Sequence, residues 1–257
     1  MSQSDAGTQL TLLDAAGGPV PDSRLPELYA YPDDLTRCWV RSNFISSLDG
    51  GATSDGKSGG LAGPGDKALF GLMRELADVI VVGAGTVRVE NYGGAQMSAA
   101  ARQARRDRGQ SEIPPIAIVT ASGRLDRDMK VFTHTEVPPL VLTAAAVVAD
   151  TRDRLGPAAE VIACSGEDNA GVDVAVILDV LADRGLRRVL TEGGPSLHAT
   201  FIDAGRLDEL CLSLAPVLVG GQARRISTGA GQVNTEMRRA HLLADDAGYL
   251  YTRYVRG

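Results

Sequence analysis

The sequence contains few side chains of the kinds that bind metals or form disulfide bonds. There are three cysteines and three histidines in 257 residues. The cysteines are far apart and lie in apolar settings, so neither a disulfide framework nor a metal motif is present. The histidines show no ligand spacing with one another or with the cysteines. We therefore predict no metal site, and buried reduced thiols at Cys38, Cys164 and Cys211.

The chain also lacks long apolar runs and an excess of positive charge. No apolar segment approaches the roughly 20 residues that a membrane-spanning helix needs. The start of the chain, MSQSDAGTQL, has neither the charged beginning nor the apolar core of a signal peptide. The net charge of −6 argues against nucleic acid or an anionic membrane as the main partner. We expect a globular, cytoplasmic protein that acts on a small molecule.

Short apolar runs alternate with amphipathic segments along most of the chain. Runs typical of buried strands occur at 38–45, 79–83, 116–120, 140–143, 161–163 and 188–191. Segments with helical periodicity occur at 67–77, 173–182 and 196–204. This alternation predicts an α/β fold of three layers (α/β/α) with a mainly parallel mixed sheet. Residues 209–216 and 248–255 predict strands without an intervening helix, and therefore antiparallel strands at the C-terminal end.

No linker or composition break divides the second part of the chain, and we predict one domain over residues 38–257. Residues 1–37 form an N-terminal extension that is partly flexible; its first 24 residues are expected to be a flexible arm or an extended wrap over the surface. The glycine-rich segment 49–65 predicts a long mobile loop and a candidate lid. Residues 93–112 contain four arginines and predict a solvated helix or a loose insertion.

The most informative segment is Thr191-Glu192-Gly193-Gly194-Pro195-Ser196-Leu197, which joins a predicted strand to a predicted helix. A helix that begins directly after a glycine pair leaves unpaired backbone N–H groups at the positive end of its dipole, where a phosphate binds well. Proline suits the first helical turn because its missing N–H costs nothing there. An ordinary connecting turn is the alternative interpretation. Glu192 is unusual, because a carboxylate beside an anion site is unfavourable unless it has another role.

Two further turns follow predicted strands and belong to the same edge of the sheet. Gly83-Ala84-Gly85-Thr86 lacks the third glycine and the later acid of a Rossmann fingerprint, but its glycines allow a ligand to approach the backbone. Thr120-Ala121-Ser122 is the other turn. Ligands of open parallel sheets bind at the carboxyl ends of the strands, so the three turns together predict a dinucleotide site. Ser122 and Arg124 suit a 2′-phosphate and favour NADPH over NADH, although Arg124 is equally well explained as a solvated turn residue.

Several motifs in order resemble the reductase domain of riboflavin biosynthesis, from about residue 38 to the C-terminus. They are Asn43-Phe44-Ile45-Ser46-Ser47-Leu48-Asp49-Gly50, Gly83-Ala84-Gly85-Thr86-Val87, Glu192-Gly193-Gly194-Pro195-Ser196-Leu197, Asp208-Glu209-Leu210 and Ala215-Pro216-Val217-Leu218-Val219-Gly220-Gly221. The resemblance implies a dihydrofolate reductase-like fold, a homodimer, and NADPH-dependent reduction of 5-amino-6-(5-phosphoribosylamino)uracil. No P-C-x-x-C motif is present, so we expect a stand-alone pyrimidine reductase without the zinc deaminase domain of bifunctional members.

The resemblance also implies roles for individual residues. Glu192, Ser58 and Arg74 match substrate-binding positions, and Arg74 is suited to pair with a ribose phosphate. Thr86 and Glu90 fall where the family contacts the nicotinamide part of the cofactor. The positions that match the cofactor site are Ser46, Gly83, Gly85, Thr86, Val87, Glu90, Thr120, Ser122, Gly193, Gly194, Pro195, Ser196 and Leu197.

The segment Pro64-Gly65-Asp66 is similar to the helix start of dihydrofolate reductases proper, where an acid after a proline binds the pterin ring. Asp66 is equally well explained as a helix N-cap. The candidate catalytic acids are Asp66, Asp49 and Glu192, in falling order of weight, although Asp49 before Gly50-Gly51 also fits a turn. Reduction of dihydrofolate is therefore the alternative activity, and a non-catalytic NADP-binding protein is the non-enzymatic alternative.

Overall fold

The structure, a computed structural model, describes residues 8–13 and 17–257, and its strands in those ranges form one sheet. The strands are β1 (Leu10–Leu12), β2 (Gly18–Val20), β3 (Trp39–Ser47), β4 (Val79–Gly83), β5 (Ile116–Thr120), β6 (Leu140–Thr143), β7 (Glu160–Ala163), β8 (Arg188–Thr191), β9 (Glu209–Ala215), β10 (Met237–Asp245) and β11 (Leu250–Arg256). The α-helices are α1 (Leu25–Leu28), α2 (Pro64–Leu76), α3 (Ala84–Val89), α4 (Ala99–Asp107), α5 (Lys130–Thr133), α6 (Val148–Leu155), α7 (Val174–Asp183) and α8 (Pro195–Asp203). Short 3-10 turns lie at Asp22–Arg24, Ser58–Gly60, Ala145–Val147 and Gly156–Ala158.

The strand order is β2-β1-β10-β11-β9-β3-β8-β4-β5-β6-β7. From β9 to β7 every neighbouring pair is parallel. The pairs β9·β11, β11·β10, β10·β1 and β1·β2 are antiparallel. The predicted mainly parallel mixed sheet with antiparallel C-terminal strands is thereby confirmed.

Alternating residues of the central strands pack into two separate cores. In β4, Ile80 and Val82 belong to a core that includes Leu69 of α2, whereas Val79 and Val81 belong to a second core with α7 and α8. Successive side chains of a strand point to opposite faces of a sheet, so the two cores lie on its two faces. This confirms the three-layer arrangement.

The N-terminal extension adds two strands to the sheet. β1 pairs with β10, and β2 pairs with β1, both antiparallel. Of the predicted flexible arm or wrap, residues 1–7 and 14–16 lie outside the described residues. The sequence analysis predicted neither these two strands nor β10, because their short length and, in β10, the charges of Arg238 and Arg239 obscure the alternation of apolar and polar residues.

The arginine-rich segment 93–112 contains a helix, α4, but the prediction that it is solvated was wrong for Arg105. This side chain is fully buried. Its guanidinium donates to the backbone oxygens of Glu75 at 2.7 Å, Ala77 at 2.6 Å and Ser111 at 2.7 Å. The last carbonyl groups of α2 have no partner within the helix, and a cation at this end also suits the helix dipole. Arg105 therefore caps α2.

The predicted environment of the sulfur atoms is found in the structure. Cys38, Cys164 and Cys211 are buried and form no disulfide bond. Among residues 8–13 and 17–257, no group of His, Cys, Asp and Glu side chains is placed to bind a metal ion. Within the same ranges, no helix combines the length and apolar character required to cross a bilayer.

A buried ion cluster joins the beginnings of β3 and β9 to β11. Arg41 and Glu209 are fully buried and pair at 2.6 Å, and Arg253 contacts the same carboxylate at 2.8 Å. Burial alone would raise the pKa of Glu209, but the charges and hydrogen bonds of Arg41 and Arg253 outweigh it and hold this pKa at about 2. Arg253 also donates to the backbone oxygen of Leu28 at 2.6 Å, so the cluster fixes α1 against the sheet.

We predict that Glu209→Gln destabilises the protein by about 3–5 kcal/mol, because it leaves two buried cations without their carboxylate. The pKa of Glu209 is lower in the folded than in the unfolded protein, where it is about 4.3. Its contribution is therefore complete above that value and is lost as the pH falls towards 2. Urea denaturation between pH 7 and pH 3 measures both effects.

The matched control is Glu160→Gln, which removes an exposed carboxylate from its pair with Arg184. Exposed pairs contribute about 0–1 kcal/mol, so this variant is expected to unfold close to the wild type. Equal losses for the two variants would contradict the importance of the buried cluster.

Candidate active site

Two adjoining clefts open at the carboxyl ends of the parallel strands. The smaller cleft has a volume of about 430 Å³ and the larger cleft about 920 Å³. The smaller cleft lies against α2 and the larger against the N-terminal end of α8. The residues that line both are Phe44, Ala52, Ser58, Thr86, Glu90 and Glu192. A ligand in one cleft therefore lies directly beside a ligand in the other.

The glycine pair after β8 forms the wall between the end of β4 and the larger cleft. The backbone N–H of Gly83 donates to the carbonyl oxygen of Gly193 at 2.8 Å, and the Gly193–Gly194 peptide bond is cis. Gly193 has a φ of +116°, which favours glycine. A Cβ atom on Gly194 would lie 2.8 Å from Oγ1 of Thr86. Glycine is required here because the turn and the start of α3 are in close contact.

The N-terminal end of α8 faces the larger cleft without a side-chain cap. Gly194 is the N-cap residue, Pro195 begins the helix, and Ser196 and Leu197 line the cleft. The backbone N–H groups of a first helical turn have no partner within the helix and lie at its positive end. This end of α8 therefore offers donors to a phosphate, as the sequence analysis predicted for an anion site.

The turn after β5 closes the far end of the larger cleft. Thr120 and Ala121 line it, whereas Ser122 is exposed just outside. Two arginines support this turn: Arg88 lines the cleft and donates to the backbone oxygen of Arg124 at 3.2 Å, and Arg154 donates to that of Gly123 at 2.7 Å. Arg124 itself is exposed and forms no ion pair with any described residue. The turn is consequently rich in positive charge.

Glu192 lies where the two clefts meet and is held in a fixed position. Its carboxylate accepts hydrogen bonds from Nε and Nη2 of Arg74, both at 2.6 Å, and from the hydroxyl of Tyr92 at 2.9 Å. The side chain of Glu192 is 1% exposed and that of Arg74 17%. The guanidinium also lies 4.3 Å from the centre of the Phe70 ring. Two parallel hydrogen bonds to one carboxylate fix geometry as well as charge.

The glycine-rich segment 49–65 is attached to the end of α3 by one carboxylate. Oε1 of Glu90 accepts hydrogen bonds from the backbone N–H of Ser58 at 2.9 Å and from its hydroxyl at 3.0 Å. Ser58 begins the short 3-10 turn of this segment, and Glu90 is the C-cap of α3. The predicted nicotinamide-side residue Glu90 and the predicted substrate residue Ser58 are therefore direct partners.

Asp66 lies in the first turn of α2 and lines the smaller cleft. It is not a side-chain cap of that helix. Burial raises the pKa of Asp66 above its ordinary value, partly opposed by the Ser213 hydroxyl and the charge of Lys67. A carboxyl group with a raised pKa in a cleft is suited to exchange protons with a ligand.

The sequence as a whole matches the model of one protein family, the RibD C-terminal domain, over residues 38–251. The chain belongs to this family. The resemblance identified from the motifs is thus confirmed.

Relatives include both longer and stand-alone members of this family. The riboflavin biosynthesis protein RibD of Bacillus amyloliquefaciens is 27% identical, and the match covers 84% of this chain but 57% of that protein. The 2,5-diamino-6-ribosylamino-4(3H)-pyrimidinone 5′-phosphate reductase of Methanothermobacter thermautotrophicus is 25% identical, with 84% of this chain and 98% of that protein covered. This chain thus spans little more than half of the first relative and nearly all of the second.

The solved structure of a pyrimidine reductase-like protein from Corynebacterium diphtheriae is also similar. It shares 26% sequence identity, and the superposition has a TM-score of 0.79 over 91% of this chain and 98% of the other. The riboflavin biosynthesis reductase Rib7 of Saccharomyces cerevisiae, 16% identical, has the same fold with a TM-score of 0.66, covering 91% of this chain and all of that one.

Most of the RibD-type site residues predicted from the sequence line the clefts, but four side chains lie elsewhere. Asp49 is exposed, and its carboxylate accepts hydrogen bonds from the Ser47 hydroxyl and from backbone N–H groups of the turn at 219–220, which lower its pKa to about 2. This is the turn role considered as its alternative. Ser46 is buried and donates to a backbone oxygen, Val87 packs in the core, and Ser122 stands outside the cleft wall.

The sequence analysis also missed residues that line the clefts. Phe44 separates the two clefts, with its ring centre 4.4 Å from that of His198 on α8. Tyr92 contacts Glu192, and Arg88 and Arg224 line the larger cleft. The motif around Phe44 was noted, yet no signal in one sequence distinguishes a ring at a cleft from a ring in a core. The arginines lie in segments without periodicity.

Proposed function

We propose that this protein is an NADPH-dependent reductase of the riboflavin-pathway type, which reduces an imine-like carbon of a pyrimidine or pteridine. The observation that carries this proposal is the pair of clefts that meet at Glu192 and Thr86, one with a phosphate-binding helix end and one with buried acids. Named relatives include 5′-phosphate reductases of ribosylaminopyrimidinones. The substrate named for this chain is 5-amino-6-(5-phosphoribosylamino)uracil or a related ring.

The larger cleft fits a nicotinamide dinucleotide. Its volume of about 920 Å³ lies within the range for large ligands. Residues 194–197 would bind the pyrophosphate through backbone N–H groups, and Thr86 and Glu90 would lie beside the nicotinamide. The bound cofactor supplies the hydride. The chain aligns the two ligands, excludes water through the segment 49–65, and provides a proton.

The phosphorylated cofactor is favoured by the charge at the turn after β5. Enzymes that select NADH commonly place an acid on the ribose hydroxyl, whereas those that select NADPH place an arginine near the 2′-phosphate. β5 ends in Thr120-Ala121-Ser122 rather than in an acid, and Arg88 and Arg124 lie at this turn. These side chains support NADPH.

Asp66 is the group that we assign to proton delivery. It lines the cleft opposite to the cofactor side, and its raised pKa keeps a larger fraction protonated near neutral pH than an ordinary carboxyl group. Glu192 is bound to Arg74 and Tyr92, so we assign it to positioning the ring of the substrate instead.

Dihydrofolate reduction is a second candidate, favoured by the same observation on Asp66. An acid in the first turn of α2 at the cleft would hydrogen-bond the amino-pyrimidine part of a pterin as well as that of a uracil. The two substrates differ in what is attached to the ring, so turnover distinguishes them.

A cytoplasmic homodimer is also part of the proposal. Leu48, Val217 and Leu218 are 60%, 42% and 76% exposed and lie close together, since the N–H of Leu48 donates to the oxygen of Val217 at 2.9 Å. Exposed apolar groups of this kind suit a subunit contact. A monomer mass in sedimentation equilibrium at micromolar concentration would refute the dimer.

The central test mixes purified protein with NADPH and, in separate reactions, 5-amino-6-(5-phosphoribosylamino)uracil, its riboside without phosphate, and dihydrofolate. We expect oxidation of NADPH, followed at its nicotinamide absorbance band, with at least one of them. Oxidation with none would refute the enzymatic proposal, and tight NADPH binding under the same conditions would then favour a non-catalytic NADP-binding protein.

Replacing Asp66 tests the proton donor. Asp66→Asn is expected to lower kcat by about 10²- to 10⁴-fold, the usual contribution of a positioned acid. The wild-type rate should fall as the pH rises through the raised pKa of Asp66, because only the protonated form donates, and the variant should lose this dependence. Glu75→Gln on the same helix, outside both clefts, is the control that should retain it.

Replacing Arg124 tests the choice of cofactor. Arg124→Ala is expected to lower kcat/KM for NADPH by about tenfold or more, since an arginine–phosphate contact contributes on the order of 1.5–3 kcal/mol. The value for NADH should stay unchanged because NADH lacks the 2′-phosphate. Arg127→Ala, an equally exposed arginine that lines neither cleft, is the control. Equal losses with both cofactors would remove Arg124 from recognition of the phosphate.

A further inference from the structure

The smaller cleft has little positive charge available for a ligand. Among the described residues that line it, Asp66, Glu90 and Glu192 are acidic, and Lys67 and Arg74 are basic. Acidic groups therefore outnumber basic ones in the space that would hold the substrate. An anionic ligand needs at least one cation that is not already paired with a carboxylate.

Arg74 does not provide that cation. Two of its nitrogens donate to the two oxygens of Glu192 at 2.6 Å, and its guanidinium lies against the Phe70 ring. The pair is neutral as a unit, and Glu192 is almost completely buried. A ligand that drew Arg74 away would leave that carboxylate without its cation in a buried position, which is costly.

The helix ends beside this cleft do not provide an anion site either. α2 begins there, but Pro64 lacks an N–H group and Asp66 places a carboxyl group in the first turn. Cβ atoms on Gly63 and Gly65 would lie 2.8 Å from the Tyr249 ring and 2.3 Å from the Tyr251 hydroxyl, so these aromatic side chains already pack against this end. The open end of α8 belongs to the larger cleft. Lys67, which is exposed, remains as the single unpaired cation of the smaller cleft's described lining.

A phosphate monoester would bring a charge of about −1.5 to −2 to this surface at pH 7. We propose that the smaller cleft takes an aminopyrimidine or pterin ring whose attached group carries no phosphate. The uncharged ring edge offers N–H donors to Asp66 and Glu192, while the attached group reaches the exposed rim near Lys67. This inference rests on the proposed reductase function and makes this chain differ from relatives that are named as 5′-phosphate reductases.

The experiment compares one ring in two forms, 5-amino-6-ribosylaminouracil and its 5′-phosphate. Binding of each to the protein saturated with NADP⁺ is measured by calorimetry, and kcat/KM of each is measured with NADPH. We expect the form without phosphate to bind and react at least about tenfold better, because the phosphate meets acidic groups at close range. Equal or better binding of the phosphate ester, or binding of neither form, would overturn the inference.

The two measurements distinguish this inference from the proposed function. Preferential binding of the riboside without any oxidation of NADPH would refute the reductase and support the inference. Oxidation with a preference for the phosphate ester would support the reductase and refute the inference.

Two variants test the cause. Glu192→Gln releases Arg74 from its carboxylate, so the binding preference should shift towards the phosphate ester by about tenfold. Tyr92→Phe removes a hydrogen bond to the same carboxylate but keeps all charges, so it is the matched control and should leave the preference unchanged. Wild-type thermal midpoints and NADP⁺ affinities establish that both variants are folded. An unchanged preference in Glu192→Gln would show that the pairing of Arg74 is not its origin.

Discussion

The buried carboxylate of Glu192 requires a cation, and the arrangement of both clefts depends on how the chain supplies it. Glu192 stands directly after β8, where the sheet ends, and Arg74 reaches it from the last turn of α2. The pair fixes the distance between α2 and the strand ends, and this distance sets the width of the smaller cleft. Tyr92 adds a third bond from the segment after α3. Three separate parts of the chain therefore converge on one side chain.

The two ends of the parallel strands have different electrostatic organisation. At the amino ends, the cluster of Arg41, Glu209 and Arg253 is closed off from solvent and stabilises the fold. At the carboxyl ends, charged groups line open clefts and remain accessible to ligands. Conserving charge pairs at one end for stability leaves the other end free to use unbalanced charge for recognition, as ligand sites of open α/β sheets commonly do.

The sequence was sufficient for features that depend on neighbouring residues. The β-branched run 79–83 predicted β4 with its correct bounds, and the glycine pair before Pro195 predicted the open start of α8. Both signals are local, since they reflect burial on two faces and the geometry of a turn. Family resemblance then placed Glu192 and Ser58 at the site.

Features that depend on distant residues were not predictable in this way. Arg74 and Glu192 are 118 positions apart, and no periodicity connects them, so Arg74 was assigned to a phosphate of the ligand. Arg105 looks like any exposed helical arginine until α2 ends against it. β1 is three residues long and is stabilised by pairing with β10, a partner more than 200 positions away. Such contacts follow from topology and packing, which local propensity does not encode.

The bond between Glu90 and Ser58 has a consequence for the order in which ligands act on each other. Because Glu90 lines both clefts and Ser58 belongs to the segment above them, a ligand that changes this bond from one cleft changes the free energy of binding in the other. Thermodynamic linkage makes such coupling reciprocal: the factor by which cofactor alters substrate affinity equals the factor by which substrate alters cofactor affinity. Two hydrogen bonds to a single carboxylate oxygen thus give the molecule a means of cooperativity within one subunit.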